Sequence, residues 1–261
     1  MKARSVMTFS DRFRMTKMVV SFNRHFFAIA IIASLIGMTL AVLSDNNIVK
    51  ALLIAGVVLA CYFMIASVIA SYFVYDASDL YRLRWWPARS RLESPKHGVL
   101  VHAGFDPASP VVKTKFPYME LHVLDFFDQQ TLTEASIQRA HSLTSPSSPQ
   151  EKAPFDAWPV TTDSQNVVFA LSAAHELREE DQRVAFFREA NRVLNHDGTL
   201  IVIEQLRDVF NFACFGVAAF HFLSRRTWLR SFSAAQLVVK DEFRITPFMR
   251  VFVLKKYIAA T

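Results

Sequence analysis

The segment Ala173-Ala174-His175-Glu176-Leu177-Arg178 sets an imidazole beside a carboxylate directly after the apolar run Val167–Leu171. If that run is a buried strand, His175 stands at its carboxyl end, where open α/β sheets bind ligands. It is then the first candidate for a general base or a substrate contact. A histidine bonded to backbone at a helix start accounts for the residue equally well, and Glu176 with Arg178 reads most simply as a local ion pair. Glu204 and Asp208 close a second apolar run and face the same edge, with Arg207 between them able to pair with either. His221 lies in the uncharged run Phe210–Leu223, which holds five phenylalanines. That run is too short to span a bilayer. It reads either as a core helix or as an interfacial helix with Arg225, Arg226 and Arg230 at the headgroups, where His221 would face an acceptor. The catalytic candidates are therefore His175, Glu204 and His221.

Other chemistries find no support. The eight histidines are scattered without an H-x-x-x-H spacing, and Cys61 and Cys214 form no C-x-x-C, so no metal site is expected. Two cysteines in apolar runs read as buried thiols rather than a disulfide framework. No G-x-x-x-x-G-K-S/T phosphate loop and no G-x-S-x-G nucleophile elbow occurs.

The elements that must position these residues follow from hydropathy patterning. Gly98–Gly104, Leu121–Asp125, Val167–Leu171 and Thr199–Glu204 are short apolar runs that predict buried strands. Between the third and fourth, Glu179–Leu194 predicts an amphipathic helix. Val184, Phe187, Ala190, Val193 and Leu194 lie on its inner face, Arg183, Arg188, Glu189 and Arg192 elsewhere, and Gly198 is the left-handed residue that ends it. Phe232–Lys240 and Phe243–Lys255 predict two further strands. Ser142–Pro154 is polar and proline-rich, the composition of a mobile loop or lid. Strands alternating with helices predict a mostly parallel sheet covered on both faces.

The charge is unevenly distributed. Residues 1–96 carry 12 Lys and Arg against 5 Asp and Glu, whereas the remaining residues carry 17 against 18. A nucleic-acid binder would place its basic face on the folded domain, so no nucleic-acid partner is expected. Phe26–Leu43 and Ala51–Val74 are uncharged and long enough to span a bilayer, with a short polar turn between them. Basic residues flank the pair on both outer sides and the turn holds only Lys50, so the positive-inside rule predicts two spans of the inner membrane with both termini cytoplasmic. The predicted organisation is a basic segment over 1–25, whose first 20 residues suit an amphipathic surface helix, a transmembrane hairpin over 26–75, a juxtamembrane linker over 76–96 and an α/β domain over 97–261.

Trp158–Asp208 carries a more specific likeness. Its Pro159, acidic turn, strand, helix, Arg192-Val193-Leu194 and Gly198 resemble the second half of a class I S-adenosylmethionine-dependent methyltransferase acting on quinones, lipids or small molecules. Gly104-Phe105-Asp106, Asp125-Phe126-Phe127-Asp128, Thr133-Glu134-x-Ser136-Ile137-x-Arg139-Ala140, Ala174-His175-Glu176-Leu177-Arg178 and Leu206-Arg207-Asp208 resemble a narrower group of membrane-linked bacterial proteins. The resemblance implies a Rossmann-like, mostly parallel sheet with an antiparallel closing strand, preceded by the two-helix hairpin. It implies S-adenosylmethionine as cofactor, held by His102, Gly104, Asp106, Asp125, Phe126 and Ala174. Asp125 would accept the ribose hydroxyls, and Asp106 or Ser109 would meet the cofactor's ammonium or carboxylate. The family's acidic-x-Gly-x-Gly-x-Gly turn is reduced here to Gly104, and Pro107 stiffens the residues after it. Two functions stay open: methyl transfer to a lipophilic or amphipathic acceptor at the bilayer, or a non-catalytic scaffold or partner subunit tethered there. Oligomerisation is compatible with either.

Overall fold

The structure is a computed structural model that describes residues 13–78, 80, 83, 94–144 and 149–258. Most of the predicted linker and the first 12 residues lie outside these. The described residues form two compact units: the N-terminal helices through Ala77 together with Val209–Ala219, and a sheet domain comprising Ser78–Asp208 and Phe220 onward.

The N-terminal unit contains α1 (Arg14–Phe22), α2 (Arg24–Leu43) and α3 (Asn47–Ser71), the last continuing as a π-helix over Tyr72–Ala77. Asn46 caps α3 by accepting from Ile48 N and Val49 N at 2.9 and 3.2 Å, which confines the turn to Ser44–Asn46. Asp76 accepts from Met15 N and Thr16 N at 3.1 and 2.8 Å, so a carboxylate from the end of the second long helix satisfies the first turn of α1. Arg24–Leu43 and Asn47–Ala77 are long and apolar enough to cross a membrane by length and composition. Their apolar side chains, among them Leu35, Val42, Leu52 and Ile65, are mostly exposed.

In the sheet domain β1 (His97–His102), β2 (Glu120–Asp125), β3 (Glu151–Lys152), β4 (Gln165–Leu171), β5 (Leu194–Gln205), β6 (Leu237–Arg244) and β7 (Met249–Lys256) form one sheet of order β3-β2-β1-β4-β5-β7-β6. The first five strands are parallel, and β7 runs antiparallel between β5 and β6. Central strands buried on both faces explain why the apolar runs show no alternation. The helices are α4 (Ser109–Lys115), α5 (Ala135–Leu143), α6 (Glu180–Val193) and, after a segment α7 (Val209–Phe215) that belongs to the first unit, α8 (Arg225–Ala234). An aromatic core joins α6 to its neighbours: Phe186 meets Phe126 and Trp158, Phe187 meets Trp228 and Phe232, and Phe232 meets Phe252.

Several sequence expectations need correction. Phe232 belongs to α8 rather than to a strand, and β6 runs to Arg244. Gly198 lies inside β5 without a left-handed backbone, and α6 passes into β5 directly at Leu194. Glu151 and Lys152, within the predicted mobile loop, pair with Leu124 and Asp125 as an edge strand. Arg183 is buried, its guanidinium donating to the carbonyls of Leu177 and Arg178.

Arg192 shows what the Arg-Val-Leu element does. It pairs with Glu189 through two bonds of 2.9 and 2.7 Å and donates to the carbonyls of Val160 and Trp158, while Glu189 accepts from Trp158 N. The helix thereby holds the turn leading into β4. A lysine cannot reproduce this planar fork. Arg192→Lys in the full chain should lower unfolding stability by about 2 kcal/mol, read as a reduced urea midpoint in detergent. An unchanged midpoint would mean the turn is held by packing alone.

Candidate functional site

Two polar clusters occupy the carboxyl edge of the parallel strands. The first lies where β1 and β2 end. His102 and Asp125 are register partners, and Asp125 is 1% exposed. Its Oδ1 accepts from Gly104 N at 2.8 Å and Phe127 N at 2.9 Å, and its Oδ2 from Lys152 Nζ at 2.6 Å and Gln150 Nε2 at 3.2 Å. Gly104 turns with φ 80°, and a Cβ there would come within 3.0 Å of Phe127 and His141, which stack on each other. Glycine is therefore required on both counts.

Asp106 is buried and caps α4, its Oδ1 accepting from Ala108 N and Ser109 N at 3.0 and 2.8 Å while Ser109 Oγ donates to Oδ2. His102 is also buried, its Nδ1 3.7 Å from Asp125 Oδ1 and Gln150 beside the ring. Burial lowers its imidazole below the usual histidine range against the opposing pull of Asp125 and Asp106.

The second cluster lies beyond β4 and β5. Ser172 adopts a left-handed backbone (φ 51°) that turns the chain into the 3-10 turn Ala174–Glu176. Glu204, 1% exposed, accepts at Oε1 from the backbone N–H groups of Ala173, Ala174 and His175 and at Oε2 meets His175 Nδ1 at 2.7 Å. His175 Nε2 lies 3.3 Å from Glu176. Burial alone would depress the His175 imidazole, but Glu204 and Glu176 outweigh it and hold the ring well above the usual histidine range. His221 stands edge-on to His175 with ring centroids 5.6 Å apart, and its Nδ1 lies 3.2 Å from Glu134, whose carboxyl this bond holds low against the effect of burial. Arg178 Nε is 3.6 Å from Glu134, and its Nη1 donates to the His221 carbonyl at 2.8 Å.

No family model matches the sequence, and no curated protein matches it. Among solved structures the chain is similar to a SAM-dependent methyltransferase from Aquifex aeolicus, with 14% identity and a TM-score of 0.51 over 67% of this chain and 90% of that one. It is equally similar to a chain of the complex between the Haloferax volcanii Trm112 methyltransferase activator and a methyltransferase, at 14% identity and TM-score 0.51 over 71% and 92%. The fold is that of the SAM-dependent methyltransferases.

In this methyltransferase fold the three predicted catalytic residues, His175, Glu204 and His221, come together in one cluster. Of the predicted cofactor residues, His102, Gly104, Asp106 and Asp125 gather at the β1–β2 edge. Phe126 packs into the core against Phe186, and Ala174 is fully buried in the turn that Glu204 holds. The expected Glu176–Arg178 pair does not form, because Glu176 meets His175 and Arg178 turns to Glu134. Arg207 pairs with neither neighbour. It lies over the Phe220 ring, while Asp208 pairs with Arg244. Arg225 and Arg230 bind Glu242 and Glu180 on the domain itself. Sequence reasoning missed Glu134, Gln150 and Lys152. Glu134 sits in one of the family-like fragments, which was its only signal.

His175 should titrate well above pH 6.5. Its raised value means that the ion pair contributes fully below the unfolded pKa of about 6.5, and that this stability is lost as pH rises through the folded value. Glu204→Gln removes the largest opposing charge, so the His175 ring resonance should titrate at lower pH in an NMR titration. A resonance that stays put would mean Glu176 alone sustains the charge.

Proposed function

We propose that this protein is a membrane-anchored S-adenosylmethionine-dependent methyltransferase whose acceptor is lipophilic or amphipathic and is met at the cytoplasmic face. The observation that carries the reading is the buried Asp125 carboxylate at the carboxyl edge of β2, beside the β1–β4 switch point of a methyltransferase-fold sheet. The residues fit the cofactor. Oδ1 of Asp125 is fixed by the backbone of Gly104 and Phe127, whereas Oδ2 is held by Lys152, an exposed side chain, and by Gln150. Ribose hydroxyls would replace those two donors at the buried carboxylate while the half-exposed Lys152 ammonium returns to water. His102 Nδ1, 3.7 Å from Asp125 and beyond direct hydrogen-bond reach of it, is a buried polar group of the kind a ligand would satisfy. Asp106 and Ser109 are committed to capping α4, so the cofactor's amino-acid end would rely on His102 and Gly104. S-adenosylmethionine bound there supplies an electrophilic methyl group.

The second cluster suits the acceptor. His175, protonated between two carboxylates, is a fixed positive charge rather than a resting base, and Glu204, saturated by four partners, is a positioning residue. His221 is the better base. Its Nδ1 lies 3.2 Å from Glu134, and a proton held on that nitrogen would leave Nε2 as acceptor for a proton from a hydroxyl or carbon acid. Methyl transfer otherwise depends on positioning. The two long apolar helices support a bilayer anchor, and an anchor brings the site to acceptors dissolved in the membrane. A non-catalytic tethered scaffold is the second reading, favoured by the occupation of Asp125 by the chain's own donors.

Calorimetric titration of the detergent-solubilised full chain with S-adenosylmethionine and S-adenosylhomocysteine separates them. Saturable binding is expected, weakened at least tenfold by Asp125→Asn, which keeps an acceptor for Gly104 but turns an amide toward the ribose. Lys152→Ala should tighten it. A folded protein that binds neither compound would establish the scaffold reading.

A further inference from the structure

Val209–Ala219 comes after β5 in the sequence, yet it packs with the N-terminal helices. The segment comprises α7 and the start of a 3-10 helix (Gly216–His221) and carries Val209, Phe210, Phe212 and Val217 exposed, Val217 at 81%. It is tied to α3 at two points. Tyr62 Oη donates to the carbonyl of Ala213 at 3.1 Å, satisfying one of the last-turn carbonyls that a helix cannot pair internally. Gly216, with φ 54°, ends α7 in the left-handed conformation, and the Phe63 ring stands 3.1 Å from where a Cβ would lie. Leu59, Ile65 and Ile69, three or seven residues from Tyr62 and so on its face of α3, are exposed as well.

We infer that Val209–Ala219 is a lipid-inserted element seated in the cytoplasmic leaflet against the second span, at the boundary of headgroups and acyl chains. Depth supports this occupant. At 1.5 Å per residue, Tyr62 lies about 22 Å along the helix from Asn47. With Asn47 at the outer boundary of a hydrocarbon core about 30 Å thick, that places Tyr62 about 8 Å inside the cytoplasmic boundary. Interfacial helices bury their apolar faces to about 5–10 Å. At that depth water cannot complete the end of a helix, and the Tyr62 hydroxyl takes its place. The inference rests on the two long helices spanning the bilayer and is independent of cofactor binding.

The test is spin-label accessibility in full chain carrying Cys61→Ala and Cys214→Ala, reconstituted into phosphatidylethanolamine–phosphatidylglycerol vesicles. Labels are placed at Val217→Cys and, as a marker of the first span, at Leu35→Cys. The expected result is several-fold greater collision with oxygen than with a nickel chelate at both, Val217 reporting the shallower depth. Val209→Cys repeats the measurement if Val217→Cys does not accumulate. A lipid-exposed Leu35 with a nickel-accessible Val217 overturns the inference and leaves the spans standing. Protection of Val217 from both reagents also overturns it, in favour of a protein partner or a second copy. A nickel-accessible Leu35 overturns the spans and the inference together.

Discussion

The Glu204 carboxylate is the constraint on which the second cluster depends. A parallel strand delivers it, 1% exposed, to the carboxyl edge of the sheet, where no solvent can neutralise it. Three backbone N–H groups and the His175 ring take the place of water, and in doing so they fix the turn after β4 in one conformation. That turn carries His175 against Glu176 and opposite His221, and the carbonyls of Leu177 and Arg178 just beyond it are gathered by the buried Arg183. Charge state, ring orientation and loop shape are thus consequences of one desolvated acid.

The sheet was legible because parallel strands buried on both faces have an unmistakable composition, and the Val167–Leu171 and Thr199–Glu204 runs lie wholly inside the observed β4 and β5. Boundaries were less so. Gly198 looks like a helix terminator, but the chain enters β5 without one, since Leu194 is already extended. Phe232 was ambiguous for a related reason: a buried aromatic suits a strand and a core-facing helix alike.

Of the site, His175 and Glu204 could be proposed from their positions at strand ends and His221 from its place in the phenylalanine-rich run, but their pairing could not. Glu176 is adjacent to His175 and two residues from Arg178, and opposite charge alone points to the arginine. Gln150 and Lys152 sit in a stretch whose proline and serine content reads as loop, and nothing local announces that Lys152 will pair with a carboxylate from β2. Such contacts are set by strand order, which is a property of the folded chain.

The Lys152–Asp125 contact also bears on how tightly anything can bind at this edge. Any molecule that needs Oδ2 of Asp125 binds only the fraction of molecules in which the lysine has swung away, so its apparent dissociation constant is the intrinsic one divided by that fraction. Lys152 is 57% exposed but Asp125 is buried, so departure of the ammonium leaves a buried carboxylate short of a cation and the closed form predominates. The edge strand therefore acts as a self-supplied competitor, one that a ligand bringing its own donors to Oδ2 displaces and that a fragment lacking vicinal hydroxyls does not.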